Sequence, residues 1–321
     1  MGKITNITGI GLPMAVWLAS DDYDFQPGKA RAISATSLLK PVRQILLRER
    51  LDETNSTTPD VSDFIASRLG HSIHDGIEAA WKKHYQTALK KLGYSDSVIE
   101  RIRINPGDLE GDEIPVYLEQ RGSREFKGYK ISGKFDMVLD GELNDFKSTS
   151  VYTDMLGSKD EDYCLQGSLY RWIHQDKITS DYITINFIFT DWQRGKAKTD
   201  PNYPQQRVKE HRVQLMSLKE TEAWLSRRIQ TLEAHADLSE KDLPFCEDKD
   251  LWRSPTVWKY YSNPQKTDGR ATKNFHTAAE AHAHKAEKGK GIVIEKKGLV
   301  KACGYCPAAP ICTQKDLYEH G

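Results

Sequence analysis

KISGKFDMVLDGELNDFK, residues Lys130 to Lys147, reads as a β-hairpin. Residues 130–139 alternate loosely between apolar and polar side chains. Asp140-Gly141 is a two-residue turn signal, because both positions tolerate positive φ. Residues 142–147 return as the second strand. Side chains two apart on a strand share a face, so Asp145 and Lys147 point the same way and Phe146 points into the core. Asp136, on the first strand, is placed to converge with Asp145 across the hairpin. Two carboxylates and a lysine on adjacent strands can hold a hard divalent cation beside a phosphate. Asp136 and Asp145 supply oxygen ligands, and Mg²⁺ commonly takes one or two carboxylates while keeping several waters. Lys147 adds positive charge for an attacked phosphate or orients the attacking water. The same three residues also suit the solvated face of an ordinary hairpin, so the remainder of the chain has to discriminate.

The chain has 321 residues, 38% hydrophobic and 29% charged, with a formal net charge of zero. That length accommodates one large domain or two smaller ones, and global charge makes no case for nucleic acid, so any basic surface must be local. No apolar run approaches roughly 18 residues, and no membrane contact is expected. Residues 9–18 are apolar but short and lack the flanks of a signal peptide. Asn6 does not fit a myristoylation start. A cytoplasmic location is expected, in the host if the chain is phage-encoded. The five cysteines are Cys164, Cys246, Cys303, Cys306 and Cys312. An odd count with three clustered at the end fits an intracellular metal site better than a disulfide scaffold.

Residues 1–60 read as an N-terminal helical segment packed on the core. In it, Ser37 is the N-cap of an amphipathic helix with Pro41 in its first turn, and 52–60 is a polar loop. Residues 61–236 read as the core. Asp60 or Ser62 caps a helix through about Leu92, on which His74 and Glu78 lie four apart on one face, with His71 and Trp81 beside them. Residues 95–104 read as helical and 105–125 as loop with an extended piece near Pro115–Leu118. Residues 149–161 read as a polar connection and 163–175 as a helix carrying Gln166 and Tyr170 at i, i+4. Residues 181–190, DYITINFIFT, are a strand by composition and alternation. Residues 193–207 read as a basic loop, 208–215 as a strand and 217–236 as a helix. Residues 237–321 form a C-terminal section with a basic loop at 262–274, a helix at 277–288, a strand at 291–296, and the cysteines.

Together these pieces resemble the PD-(D/E)XK nuclease superfamily, in its RecB-like branch. That branch includes the nuclease domains of RecB and AddB, the four-cysteine CRISPR-associated nucleases and many phage recombination exonucleases. The helix motif matches Gly70, His74 and Glu78, and it singles out His74 over His71 as a metal ligand. The glycine–x–x–aspartate motif matches Gly133 and Asp136, the acidic–x–lysine motif Asp145 and Lys147, and the glutamine–x–x–x–tyrosine motif Gln166 and Tyr170. The resemblance covers roughly residues 34–192. It implies an α/β, restriction-endonuclease-like core: a central mixed β-sheet flanked by helices, carrying a Mg²⁺- or Mn²⁺-dependent deoxyribonuclease, with exonuclease the expected form. His74, Asp136, Asp145 and the Phe146 backbone carbonyl would hold the cation. Lys147 would stabilise charge or position the attacking water, and Gln166 and Tyr170 would line the groove and touch the DNA backbone. Glu78 is a minor candidate. DNA is the expected partner, with little sequence preference. A helicase or recombinase partner is compatible, and a partner would be needed for ATP-driven unwinding because no Walker A pattern is present.

The Cys-x2-Cys-x5-Cys spacing at the end also looks like AddB and the CRISPR-associated nucleases, in which an N-terminal cysteine completes a [4Fe–4S] cluster. Here Pro41-Val42-Arg43-Gln44 occupies the comparable N-terminal stretch and no cysteine precedes Cys164. The expected set is therefore Cys246, Cys303, Cys306 and Cys312, with Cys164 a core residue and Cys164 or His320 next in line as fourth ligand. Four thiolates also suit Zn²⁺. The alternative reading is a non-cleaving DNA-binding recombination accessory protein on a nuclease-like fold. A structural zinc protein would explain the cysteines but not the hairpin.

Overall fold

Asp140 and Gly141 take positive φ of 48° and 81°, and the hairpin closes on them as their residue types allow. The structure is a computed structural model that describes residues 4–20, 31–51, 58–157 and 159–318. Most of the loop expected at 52–60, and His320, lie outside the described residues. The chain divides into two compact units, Met1–Leu39 with Thr58–Gln230, and Lys40–Thr57 with Thr231–Gly321.

The elements begin with α1 (Leu12–Ala19), β1 (Ala32–Ser34), α2 (Ala35–Leu38) and α3 (Val42–Glu49). One helix was expected from Ser37, but there are two. Ser34 caps α2 by accepting from the Ser37 N–H, and Pro41 stands at the start of α3. The residue before a proline is pushed out of helical geometry, so the helix breaks at Lys40. A 3-10 turn capped by Asp60 leads into α4 (Ile65–Lys91). The stretch expected as one helix at 95–104 is instead α5 (Asp96–Ile99) and β2 (Ile102–Ile104), and the expected loop is largely β3 (Ile114–Phe126). Then come β4 (Tyr129–Leu139), β5 (Glu142–Thr149), α6 (Val151–Leu156), α7 (Asp160–Ile173) and β6 (Tyr182–Phe189). After them follow α8 (Arg194–Thr199), β7 (Val208–Gln214), α9 (Leu218–His235), β8 (Val257–Tyr261), β9 (Lys273–Phe275), α10 (Ala278–Lys288) and β10 (Ile292–Lys296). No helix among the described residues is long and apolar enough to cross a membrane.

The first unit is built on a mixed seven-stranded sheet in the order β2-β3-β4-β5-β6-β7, with β1 added on β4. The β3–β4 and β4–β5 pairs are antiparallel, while β5–β6 is parallel. This is the expected mixed central sheet with flanking helices. Trp81, Tyr85 and Leu89 of α4 pack against Ile102, Val116, Leu118 and Met137. Phe135, Leu143, Leu169, Trp172, Phe187 and Phe189 are among the fully buried side chains. Each contributes on the order of 2 kcal/mol of hydrophobic stabilisation, which makes the strands a rigid base for polar groups at their margins.

In the second unit β10-β8-β9 form a three-stranded antiparallel sheet. On α10, Ala281 is buried and His284 packs on Tyr260 and Phe275, with ring centroids 4.9 and 5.1 Å apart. Val42, Ile45, Leu46 and Leu47 of α3 are the buried stripe of its helix.

Candidate active site

The hairpin ladder stops at the candidate site. β4 pairs with β5 only over Met137–Asn144, Val138–Leu143 and Leu139–Glu142, and near its start it pairs with β1 from Lys130 to Ser132. Gly133 to Asp136 lie between those two ladders. β5 meanwhile follows β6 along its whole length, from Leu143 to Thr149. The strands therefore fork at Asp136, whose Oδ2 accepts the Phe146 N–H at 3.0 Å and takes the place of a ladder bond. Gly133 is the only residue type that fits its position, since a Cβ there would stand 2.9 Å from the Tyr170 ring.

Side chains from five elements converge on this fork. His74, from α4, has Nε2 3.1 Å from the Phe146 carbonyl. A carbonyl only accepts, so that nitrogen carries a proton. The other nitrogen, Nδ1, faces Asp136 Oδ2 at 3.5 Å and Glu119 Oε1 at 3.6 Å. Hydrogen bonding to Asp136 and then to Glu119 outweighs burial and raises the His74 pKa to about 10. Burial works to raise the Asp136 pKa, but the hydrogen bond and charge of His74, with Lys147 behind them, bring it below the usual carboxylate range.

Asp145 is 2% exposed. Its Oδ1 accepts the Gln166 amide at 3.0 Å, and its Oδ2 lies 2.7 Å from Lys147 Nζ. The latter is a charge contact outside hydrogen-bond alignment. Burial dominates and lifts the Asp145 pKa to about 6, with Lys147 opposing. Burial is the largest single influence on Lys147 and pulls it down, but Asp145 and Asp136 together hold it above its ordinary value. Gln166 also donates to the Tyr170 hydroxyl at 3.3 Å. α7 thus braces the acidic strand through one amide.

The structure brings together His74, Asp136, Asp145, Lys147, Gln166 and Tyr170. Tyr170 is itself 5% exposed, so it supports Gln166 from below. The Phe146 carbonyl, expected as a cation ligand, is engaged by His74. Glu78 stands one turn further along α4 and pairs with Lys82 at 2.5 Å rather than joining the fork. Glu119 was missed because its stretch read as loop. The available signal was an acidic residue directly after the apolar run Pro115–Leu118.

Among the described residues, His74, Glu119 and Asp136 are the group of three or more histidine, cysteine or acidic side chains whose ligand atoms all lie within 4.8 Å. The chemistry of this donor set, one imidazole and two carboxylates, fits a hard divalent cation.

The cysteines lie in the second unit. Burial raises the Cys246 thiol to about 12, with Asp250, Cys312 and Cys306 adding to it. Burial also raises Cys303 and Cys306; Cys306 and Cys312 add to the first, Cys312 to the second. The four thiols thus sense one another, whereas Cys164 lies in the first unit, 4.0 Å from the Ser168 hydroxyl. Gln314, 1% exposed, clamps Cys246 by accepting its N–H at 2.8 Å and donating to its carbonyl at 2.9 Å. Arg43, also 1% exposed, donates to Cys312 Sγ at 3.2 Å and to the Leu243 carbonyl at 3.1 Å, and pairs with Glu240. A buried guanidinium thus stands beside the Cys312 sulfur.

No family model matches the chain, and no curated protein matches its sequence. Among solved structures, it is similar to the crystal structure of SSO0001, with a TM-score of 0.45 and 15% identity, over 72% of this chain and 92% of that one. It is also similar to a phage-related exonuclease from Haemophilus somnus 129PT. There the TM-score is 0.29 and the identity 15%, over 64% of this chain and 93% of that one.

Proposed function

We propose that this chain is a divalent-cation-dependent deoxyribonuclease of the PD-(D/E)XK type, with an exonuclease of the RecB-like branch as the specific form. The observation that carries the reading is the fork at Asp136. One imidazole, two carboxylates, a lysine and an amide meet there at hydrogen-bonding or ion-pairing distance, on elements whose order matches four separate sequence motifs. His74 and Asp136 hold the cation with Asp145 beside them, and the Phe146 carbonyl orients the His74 ring. When bound, Mg²⁺ or Mn²⁺ supplies charge neutralisation at the phosphate and a more acidic water. Lys147 keeps a positive charge next to the attacked phosphate, and Gln166 fixes Asp145 so that this charge stays in place.

DNA is the proposed partner. Between Val257 and Lys301, ten lysines and arginines stand against four acidic residues in a chain of zero net charge. That local excess suits a phosphate backbone read without regard to sequence. We further propose that Cys246, Cys303, Cys306 and Cys312 bind a [4Fe–4S] cluster, with Zn²⁺ the alternative. The preference for the cluster rests on the Cys-x2-Cys-x5-Cys resemblance, because four thiolates equally suit tetrahedral zinc.

The test is digestion of end-labelled linear and closed circular DNA, single- and double-stranded, with Mg²⁺ or Mn²⁺. Cleavage of linear DNA from its ends, abolished by EDTA, supports the exonuclease. DNA that is bound but intact under every condition makes the chain a non-cleaving accessory protein.

A further inference from the structure

Glu119 has three properties that an ordinary strand residue does not need. It falls opposite Asp136, between the pairs Leu118–Met137 and Gln120–Phe135. Its φ is 51°, in the left-handed region that disfavours a side chain. Its carboxylate is divided, with Oε1 3.6 Å from His74 Nδ1 and Oε2 2.6 Å from Lys134 Nζ. We propose that Glu119 is a side-chain ligand of the divalent cation and that Lys134 positions it by holding its second oxygen. The inference rests on the cation-dependent reading of the fork.

The argument begins with His74. Its Nε2 is committed to the Phe146 carbonyl. Its Nδ1 converges with one oxygen of Asp136 and one of Glu119, all within 4.8 Å of one another. A divalent cation can take the place of the proton that otherwise bridges such a group. A carbonyl-tethered imidazole beside carboxylates is the arrangement by which proteins orient a metal-binding histidine.

Distance supports the same occupant. In octahedral coordination with metal–oxygen bonds near 2.0–2.1 Å, neighbouring ligand atoms lie about 2.9 Å apart. The separations of 3.5 and 3.6 Å from Nδ1 to Asp136 and Glu119 close to that value with sub-ångström shifts. Lys134 is suited to the positioning role. It lies two residues before Asp136 on β4, its side chain is 44% exposed, and its Nζ reaches Oε2 of Glu119, the oxygen other than the one facing His74. A simple cross-strand pair at a surface gains too little to account for the backbone of Glu119. Left-handed residues of this kind persist where a site requires them.

The test is Mn²⁺ binding to the full-length, EDTA-stripped protein, read as free Mn²⁺ by electron paramagnetic resonance. Wild type, Glu119→Gln, Glu119→Gly and His74→Gln are compared, each with its thermal midpoint in EDTA. Glu119→Gln should raise the Mn²⁺ dissociation constant at least about tenfold, the lower end of the effect expected for a disrupted ligand set. Glu119→Gly should lose the same affinity, while its thermal midpoint in EDTA stays at or above that of wild type, because glycine relieves the left-handed backbone. Both Glu119 variants binding within twofold of wild type, while His74→Gln does not, would overturn the role of Glu119 and leave the fork as a cation site without it. Equal binding by wild type and His74→Gln would overturn the cation site itself. Loss of Mn²⁺ in the Glu119 variants together with a wild type that cuts no DNA would sustain the ligand and remove the nuclease.

Discussion

Asp145 combines a proposed role in chemistry with a cost to the fold, and the two can be separated. Its folded-state pKa of about 6 lies above the ordinary 3.8 because burial penalises the charged form. A raised carboxylate favours the folded state while protonated. The penalty is therefore absent below about pH 4 and grows as pH rises to about 6. Asp145→Asn imitates the protonated group and can still accept from Gln166. In EDTA at pH 7.5 it should be more stable than wild type, by up to about 3 kcal/mol, and the difference should vanish near pH 4. Urea titrations at the two pH values measure this; a variant less stable than wild type at pH 7.5 contradicts the burial argument.

The two histidines of α4 give a second residue-scale test. His74→Ala should raise the Mg²⁺ or Mn²⁺ concentration needed for cleavage, since His74 alone of the pair is within 4 Å of Asp136 and Glu119. His71→Ala should be milder. Identical metal titrations, or a larger loss at His71, would show that the helix presents the other histidine.

At the scale of elements, the proposed metal centre makes the four-cysteine segment depend on Cys246. The run Cys303–Cys312 contains short 3-10 turns with no buried residue in the first two. Little apolar surface therefore holds it, and a bound centre worth on the order of 10 kcal/mol would order it. Cys246→Ser should lower metal content per chain and make the C-terminal segment cut faster by protease, whereas Cys164→Ser should do neither. Anaerobic protein should be brown if iron is bound. Full metal content in Cys246→Ser would move the fourth ligand elsewhere.

How far the elements could be read from the sequence follows from where their information lies. The β4–β5 turn was legible because Asp140-Gly141 is local chemistry, and β6 because its alternation is dense in β-branched and aromatic residues. α4 was legible from its cap at Asp60 and its long apolar period. β3 was not, because its outer half, from Gln120 to Glu125, is polar and is held by pairing with β4 rather than by its own pattern. β2 was hidden for the same reason, as a three-residue strand defined by its parallel partner. The site divides the same way. His74, Asp136, Asp145 and Lys147 belong to contiguous motifs, while Glu119 acquires meaning only when β3 is laid against Asp136. The break at Pro41 was misread because the helical period continues across it.

For the whole molecule, zero net charge means that the proposed attraction to DNA would come from local basic segments such as Arg194–Lys198 and Lys266–Lys273. Affinity should then fall steeply with salt, the slope of log affinity against log salt counting about 0.7–0.9 per phosphate neutralised, and should differ little between sequences. A salt-independent affinity, or a sharp preference for one sequence, would contradict a general nuclease.

The central claim is that the fork at Asp136 cleaves phosphodiester bonds. It is tested most directly by single-turnover cleavage of labelled DNA by wild type and Lys147→Ala, each with Mn²⁺ and with EDTA, alongside DNA binding and thermal unfolding of both. The account predicts cleavage by wild type only with Mn²⁺, and at least a 100-fold loss in Lys147→Ala, which is about 3 kcal/mol of transition-state stabilisation, with folding and DNA binding retained. Lys147→Ala cleaving at more than about a tenth of the wild-type rate, or wild type cleaving equally in EDTA, would contradict it.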